Sequence, residues 1–429
     1  MRSIYYLSLF CIAFANDYLP QQIHISYTNI PTEMMITWTT IQNPVFATVR
    51  YSSANKSYST TSLDIREFMD DGELHRLIFI NRVLIKNVVQ DEKYTYTCGS
   101  EKYGWSTTYT FYAMRNISKK EPLRFLFYGD FGDENSVSLR SIQDKVNTER
   151  IDAILHIGDF AYDLADNNGL VGDAFMTDIE SIASQVPYMT TVGNHEYHYN
   201  FSHYRNRFTM PNHQNTENML YSWNIGTIHF ISFSTEVYFE PYTHITSKNI
   251  SNIKKQFEWL VSDLTKNKNA SWIITIGHRP MYCSRPDNDA CTWTKNPVRD
   301  GILYKNKMIY GLEQLFYDFS VDIELWGHEH NYERLYPVYK NIPYKENITI
   351  INSTTYYNCP ITPIHIISGA AGNKEMNGNP VLFTNNSWSA FTNDNYGYGY
   401  MEIYNDTHLH IQQFNGITNH IIDDVWVIK

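Results

Sequence analysis

The sequence predicts an all-β sandwich followed by an α/β domain. Three observations carry this. Short, alternating strand patterns fill the first hundred residues. From about Lys119 apolar strands alternate with helical stretches. Each of those later strands runs straight into a glycine. The expected boundaries are a leader over 1–15, the sandwich over 16–117 and the α/β domain over 118–429.

The leader reads as a secretory signal peptide. Met1-Arg2 supplies a positive start, Ile4 to Phe14 an apolar run too short to span a bilayer, and Ala13-Phe14-Ala15 a small-residue cleavage site. Cleavage is expected after Ala15. Nothing later reads as a membrane span or lipid anchor, so a soluble product of the secretory route is expected, secreted or delivered to a lysosome or vacuole.

In the sandwich, Ile23-His-Ile-Ser-Tyr-Thr28, Met34-Met-Ile-Thr-Trp-Thr39, Thr48 to Ser52, Leu77 to Ile80, Tyr94 to Cys98 and Thr107 to Tyr112 read as strands separated by polar turns. Trp38 is the expected core residue between sheets. The α/β part begins with strand Leu123–Tyr128 and a helix over Ser136–Thr148, then strand Ile151–Ile157. Helices near Ala174–Gln185, Ser251–Lys266 and Met308–Phe319 precede strands Tyr188–Val192, Trp272–Ile276 and Val321–Trp326. This β-α-β-α-β order implies parallel strands.

Composition excludes some functions. Hydrophobic residues make up 43% of the 429, enough for a sizeable core. The net charge of −11 argues against a nucleic-acid partner, which would need a basic surface. After loss of Cys11 with the leader, Cys98, Cys283, Cys291 and Cys359 remain, an even set for an oxidising compartment. Three pairings exist. The short loop between them favours Cys283 with Cys291, leaving Cys98 with Cys359. Sequons at Asn55, Asn116, Asn200, Asn249, Asn269, Asn347, Asn352, Asn385 and Asn405 are candidate N-glycan sites.

The chemistry is expected at the strand ends. Ligands of an open α/β sheet collect at the carboxyl ends of its strands, where glycine permits a sharp turn. Five ends deliver Asp130, Asp159, Asn194, His195, His278, His328 and His330 toward one crevice. One such histidine is more often a hydrogen-bonded core residue, but five ends in β-α-β register point to a metal site. Aspartate and amide oxygens take hard cations, while imidazoles take Fe, Zn or Mn. So many ligands imply two metals sharing a carboxylate, and two metals about 3.5–4 Å apart suit in-line attack on a phosphate ester.

These residues carry a family resemblance. Asp130-x-Gly132, Gly158-Asp-Phe-Ala-Tyr162, Gly193-Asn-His-Glu196, Gly277-His278 and Gly327-His-Glu-His330 resemble the five motifs of metallophosphoesterases. Tyr162, three residues after Asp159, is the mark of the purple acid phosphatases. Tyr204 to Pro211, Gly277 to Tyr282, Asn331 to Arg334 and Asn395 to Gly399 agree, and Pro20 to Ser26 with Met35-Ile-Thr-Trp38 resemble that family's fibronectin-III-like leading domain. The resemblance covers nearly the whole mature chain.

It implies a secreted acid phosphatase that hydrolyses phosphate monoesters with a metal-bound hydroxide at an Fe(III)–M(II) centre. Asp130, Asp159, Tyr162 and His330 would hold ferric iron. Asp159 as the bridge, Asn194, His278 and His328 would hold the divalent metal, zinc or alternatively iron or manganese. Asn194 and His195 would bind substrate, and His195 would be the catalytic proton donor. The loop Tyr282 to Cys291 lacks the histidines of plant-type members and resembles the animal-type high-mass branch. Arg279 and Tyr282 are candidates for substrate contact, with simple packing of the loop the favoured reading. Two other readings are a phosphodiesterase or nucleotidase, and a binding protein with a vestigial metal site. Tyr162 and the fibronectin-like part argue against the first, the intact ligand set against the second.

Overall fold

The computed structural model describes residues 16–54, 56–116, 121–239, 247–285, 289–376, 383–384 and 386–429, with backbone only for 247–249. The expected leader and the sequon asparagines Asn55 and Asn385 lie outside the described residues. Asn116, Asn200, Asn269, Asn347, Asn352 and Asn405 are exposed.

The N-terminal part is a two-sheet sandwich. One sheet joins Gln21–Ser26, Glu33–Thr40, Leu77–Lys86 and Ile65–Met69. The other joins Lys56–Ser62, Ala47–Ser53, Lys93–Ser100, Gly104–Trp105 and Tyr109–Tyr112. Alternation explains the core: Ile23, Ile25, Ile36, Trp38, Val49, Tyr94 and Tyr96 point inward and are buried. Lys56–Ser62 was not foreseen because it is a Ser/Thr-rich edge strand without a buried residue.

The α/β part holds two large sheets. Leu123–Tyr128, Ala153–Ile157 and Tyr188–Thr191 run parallel in an eight-stranded sheet. Trp272–Ile276 and Ile323–Trp326 run parallel in a seven-stranded one. The five glycine-tipped strands therefore come from two sheets, not one open sheet. The sheets share a core, with Phe125 and Phe230 ring centroids 4.9 Å apart. Helices Leu139–Thr148 and Asp166–Ala183 pack on the first sheet. Ser247–Asn267 and Leu312–Asp318 pack on the second. Gly397–Ile403, His408–Asn415 and Ile421–Ile428 extend the first sheet in antiparallel register.

Two further expectations need correction. The helix expected over Met308–Phe319 is a strand, Lys307–Tyr310, followed by the shorter helix Leu312–Asp318. Lys305 and Asn306 both have positive φ (46° and 63°), which builds the tight hairpin turn linking Gly301–Tyr304 to Lys307–Tyr310. Of the disulfides, Cys283–Cys291 is formed, but Cys98 and Cys359 are free. Cys98 is buried in the sandwich core, whereas Cys359 is exposed beside the last strand of the eight-stranded sheet.

Buried polar contacts join the sandwich to the α/β part. Tyr27 Oη donates to Asp152 O (2.7 Å), Tyr96 Oη to Ser184 O (2.7 Å), and Arg82 Nε to Thr209 Oγ1 (3.0 Å). No helix among the described residues is long and apolar enough to cross a membrane.

Candidate metal centre

All seven residues expected at the strand ends, and Tyr162, lie in one crevice, in two contiguous groups. In the first, Tyr162 Oη is 3.1 Å from Asp130 Oδ1 and 2.7 Å from His330 Nε2, and His330 Nε2 is 3.4 Å from Asp130 Oδ1. In the second, His278 Nε2 is 3.1 Å from both Asp159 Oδ2 and Asn194 Oδ1, and His328 offers a nitrogen within 4.8 Å of its Asp159 and His278 counterparts. The backbone N–H of His328 donates to Asp130 Oδ2 (2.8 Å), tying the groups together.

The turns need unusual backbone. Asp130, Asp159, Tyr162 and His328 all have positive φ, between 54° and 70°. Such conformations cost about 1–3 kcal/mol each for non-glycine residues and collect at functional sites. Gly158 has φ 81°, and a Cβ there would stand 2.5 Å from His278 Nδ1. A Cβ on Gly193 would collide with the Asp159 carboxylate. These two glycines let the ligand loops close on each other.

Neighbouring groups orient the ligands. His278 Nδ1 is 2.8 Å from the Ile157 carbonyl, which turns Nε2 toward the crevice. The Glu196 carboxylate accepts from three backbone N–H groups: Asp159 (3.0 Å), Phe160 (2.8 Å) and Gly193 (2.8 Å). It thus fixes the two loops that carry Asp159 and Asn194. The His195 ring instead pairs through Nδ1 with Asp163 Oδ1 (2.7 Å) and lies over Tyr162, centroids 4.3 Å apart. His195 Nε2 is 3.9 Å from Asp159 Oδ2 and 3.8 Å from Glu375 Oε1.

The electrostatics describe a seat for cations. Asp130 and Asp159 are fully buried, and among the described residues neither has a lysine or arginine partner. Buried carboxylates are paired or bind metal. Burial would raise the Asp159 carboxyl, but His278, His195 and His328 hold it well below the usual range. Burial lowers His278, yet Asp159 outweighs this and raises it to about 10. Burial also lowers His195, while Asp159 and Asp163 raise it to about 9. Burial and then Arg279 lower His328. Burial, Asp130 and Asp159 push the Tyr162 phenol well above its ordinary value. Glu196 is raised to about 8 by burial and Asp159, against its backbone donors. A cation among these groups would favour the phenolate and the carboxylates together. Oxygen and nitrogen donors without thiolate fit hard or borderline metals.

Sequence reasoning missed four contributors. Asp163 directly follows Tyr162 and could have been suspected. Asn373, which donates to the Asp130 carbonyl (3.1 Å), Glu375, and Asp289, 2.7 Å from His328 Nε2, come from remote loops without a pattern. Tyr282 packs as expected, buried with its hydroxyl donating to Glu313. Arg279 does more than pack, since Nη1 lies 2.9 Å from His328 Nε2.

Fold and site together define a metallophosphoesterase, and comparison with known proteins agrees. Residues 123–332 match the calcineurin-like phosphoesterase model, residues 20–113 the purple acid phosphatase N-terminal domain, and residues 362–424 the iron/zinc purple acid phosphatase-like protein C model. The chain is 42% identical over 423 residues to acid phosphatase type 7 of Mus musculus and equally to that of Homo sapiens, covering 96% of this chain and 91% of each relative. A solved purple acid phosphatase from yellow lupin (Lupinus luteus) seeds superposes with a TM-score of 0.74 at 22% identity, covering 96% of this chain and 75% of that one. The chain belongs to the purple acid phosphatase family and is a phosphoesterase.

Proposed function

We propose that the protein is a secretory-route acid phosphatase acting on phosphate monoesters at a dinuclear Fe(III)–M(II) centre. The observation that carries this is the pair of ligand groups in one buried crevice. Asp130, Asp159, Tyr162 and His330 would hold ferric iron, because two carboxylates and a phenolate supply the anionic donors it needs. Asp159, Asn194, His278 and His328 would hold the divalent metal, zinc, iron or manganese. When bound, the metal pair would supply Lewis acidity toward the phosphate and an activated water.

The chain's own residues do the rest. Asn194 and His195 face the phosphate. His195, kept protonated by Asp163 and Asp159, gives its proton from Nε2 to the departing alkoxide. Asp163 fixes the ring by holding Nδ1, and Glu196 keeps the Asp159 and Asn194 loops in register. The sandwich over 16–117 and catalytic domain over 118–429 remain the proposed division, with 1–15 removed on secretion and N-glycans on exposed sequons.

The experiment is metal analysis of the secreted protein with parallel turnover of p-nitrophenyl phosphate and bis(p-nitrophenyl) phosphate. Two metals per chain and a preference for the monoester are expected. A preference for the diester would favour the phosphodiesterase reading.

A further inference from the structure

Arg279 and Asp289 meet at the nitrogen of His328. Arg279 Nη1 is 2.9 Å and Asp289 Oδ2 2.7 Å from Nε2, and Arg279 Nη1 is 3.9 Å from Asp289 Oδ1. One imidazole nitrogen cannot serve both. The guanidinium needs a lone pair there, the carboxylate a proton. If Nε2 turns its lone pair to a metal, as the proposed function requires, Arg279 loses that acceptor. The guanidinium then holds its positive charge beside the nitrogen that faces the metal, where a phosphate oxygen can accept from it.

Arg279 is rigidly presented. Its Nε donates to both Glu236 oxygens (3.1 Å each), its backbone N–H donates to Thr235 Oγ1 (3.0 Å), and its guanidinium lies over the Phe239 ring at 4.6 Å. Thr235 Oγ1 also donates to Glu236 Oε1 (3.0 Å). Asp289 is equally fixed. Its side chain caps the short turn Ala290–Thr292, and the Cys283–Cys291 disulfide ties that turn to the chain leaving His278. The Asp289 side chain keeps 28% exposure and that of His328 12%, so solvent reaches this junction.

We propose that Arg279 binds the substrate phosphate beside His328, and that the Asp289 carboxylate occupies the same anion seat when no phosphate is bound. A carboxylate oxygen and a phosphate oxygen present the same acceptor to the guanidinium. Substrate must displace Asp289, so Arg279 raises affinity and Asp289 lowers it. This rests on the phosphatase reading but adds two residues that reading leaves idle.

The test measures binding of inorganic phosphate by calorimetry to the metal-loaded protein, with KM and kcat for p-nitrophenyl phosphate and metal content beside it. A hydrogen bond to a charged group is worth roughly 10–100-fold in affinity. Arg279→Met is expected to weaken phosphate and raise KM by about that factor with both metals retained, and Arg279→Lys to recover part of it. Because Arg279→Met strands the Glu236 carboxylate, the double variant Arg279→Met/Glu236→Gln is made alongside and should behave the same way. Asp289→Asn, which keeps the turn cap, is expected to tighten phosphate about 3–10-fold and to lower KM. The opposite signs separate this from a structural role, which would weaken binding in both. Unchanged phosphate affinity in a metal-replete Arg279 variant, or weaker binding or metal loss in Asp289→Asn, overturns the inference. If wild type itself lacks two metals or does not hydrolyse the monoester, the functional reading has failed instead.

Discussion

Glu196 gives the most quantitative handle on the site. Its carboxylate is buried, and its two oxygens receive the N–H groups of Asp159, Phe160 and Gly193. Glu196→Ala leaves three buried donors unsatisfied. At about 1–3 kcal/mol each, and with no relaxation, the loss is roughly 3–9 kcal/mol. Water entering the vacated space should keep it near the lower end, about 3–4 kcal/mol. Glu196→Gln is milder. Its remaining oxygen can serve Asp159 and Gly193, while its amide opposes the N–H of Phe160, for a loss of about 1–3 kcal/mol. The two loops also position Asp159 and Asn194, so divalent-metal affinity should fall in the same order. Denaturant unfolding of the three proteins, with metal content after dialysis against a weak chelator, reads both effects. A Glu196→Ala protein within 1 kcal/mol of wild type and retaining both metals would show that Glu196 does not hold the loops, and the reasoning would be wrong.

Three further outcomes follow from other residues. His195→Ala should keep two metals and lose about 10²–10⁴-fold in kcat, as for removal of a positioned acid; loss of a metal ion would make His195 a ligand. On a substrate with a poor leaving group, Asp163→Asn should move the basic limb of kcat/KM to lower pH, since a carboxylate 2.7 Å from Nδ1 no longer holds the proton. His24, lowered to about 4 chiefly by burial against weaker opposing backbone bonds, is neutral in the folded protein and charged in the unfolded chain below about 6.5. Its contribution is therefore fully present above that pH and is lost as pH falls toward 4, at most about 3 kcal/mol. His24→Leu should flatten the fall of thermal midpoint over that window.

Much of this was legible in the residues because the backbone imposes it. A parallel strand buried on both faces reads as an apolar run, so Leu123–Tyr128, Ala153–Ile157 and Trp272–Ile276 were visible. The glycines after them were visible because only a residue without a Cβ fits where two ligand loops touch, as at Gly158 and Gly193. What escaped depends on long-range partners. Division of the five strands between two sheets is decided by which neighbour pairs with the strands from Gly397 onward, not by local pattern. Lys56–Ser62 has no apolar face to announce it. Asp289 and Glu375 reach the crevice from loops more than a hundred residues away from Asp159, and no spacing rule marks a residue placed by tertiary folding. The Cys98–Cys359 pairing failed for the same reason, because counting cysteines says nothing of the sheet in which each one sits.

The central claim is that Tyr162 ligates a ferric ion within a two-metal site. The measurement is the visible spectrum of the purified, iron-loaded protein beside that of Tyr162→Phe, with iron content determined on the same samples. A phenolate bound to Fe(III) gives a charge-transfer band, so wild type should be coloured, and the variant should lose the band while retaining iron on Asp130, Asp159 and His330. A colourless wild type with full iron occupancy, or a Tyr162→Phe protein that keeps the band, would contradict the account.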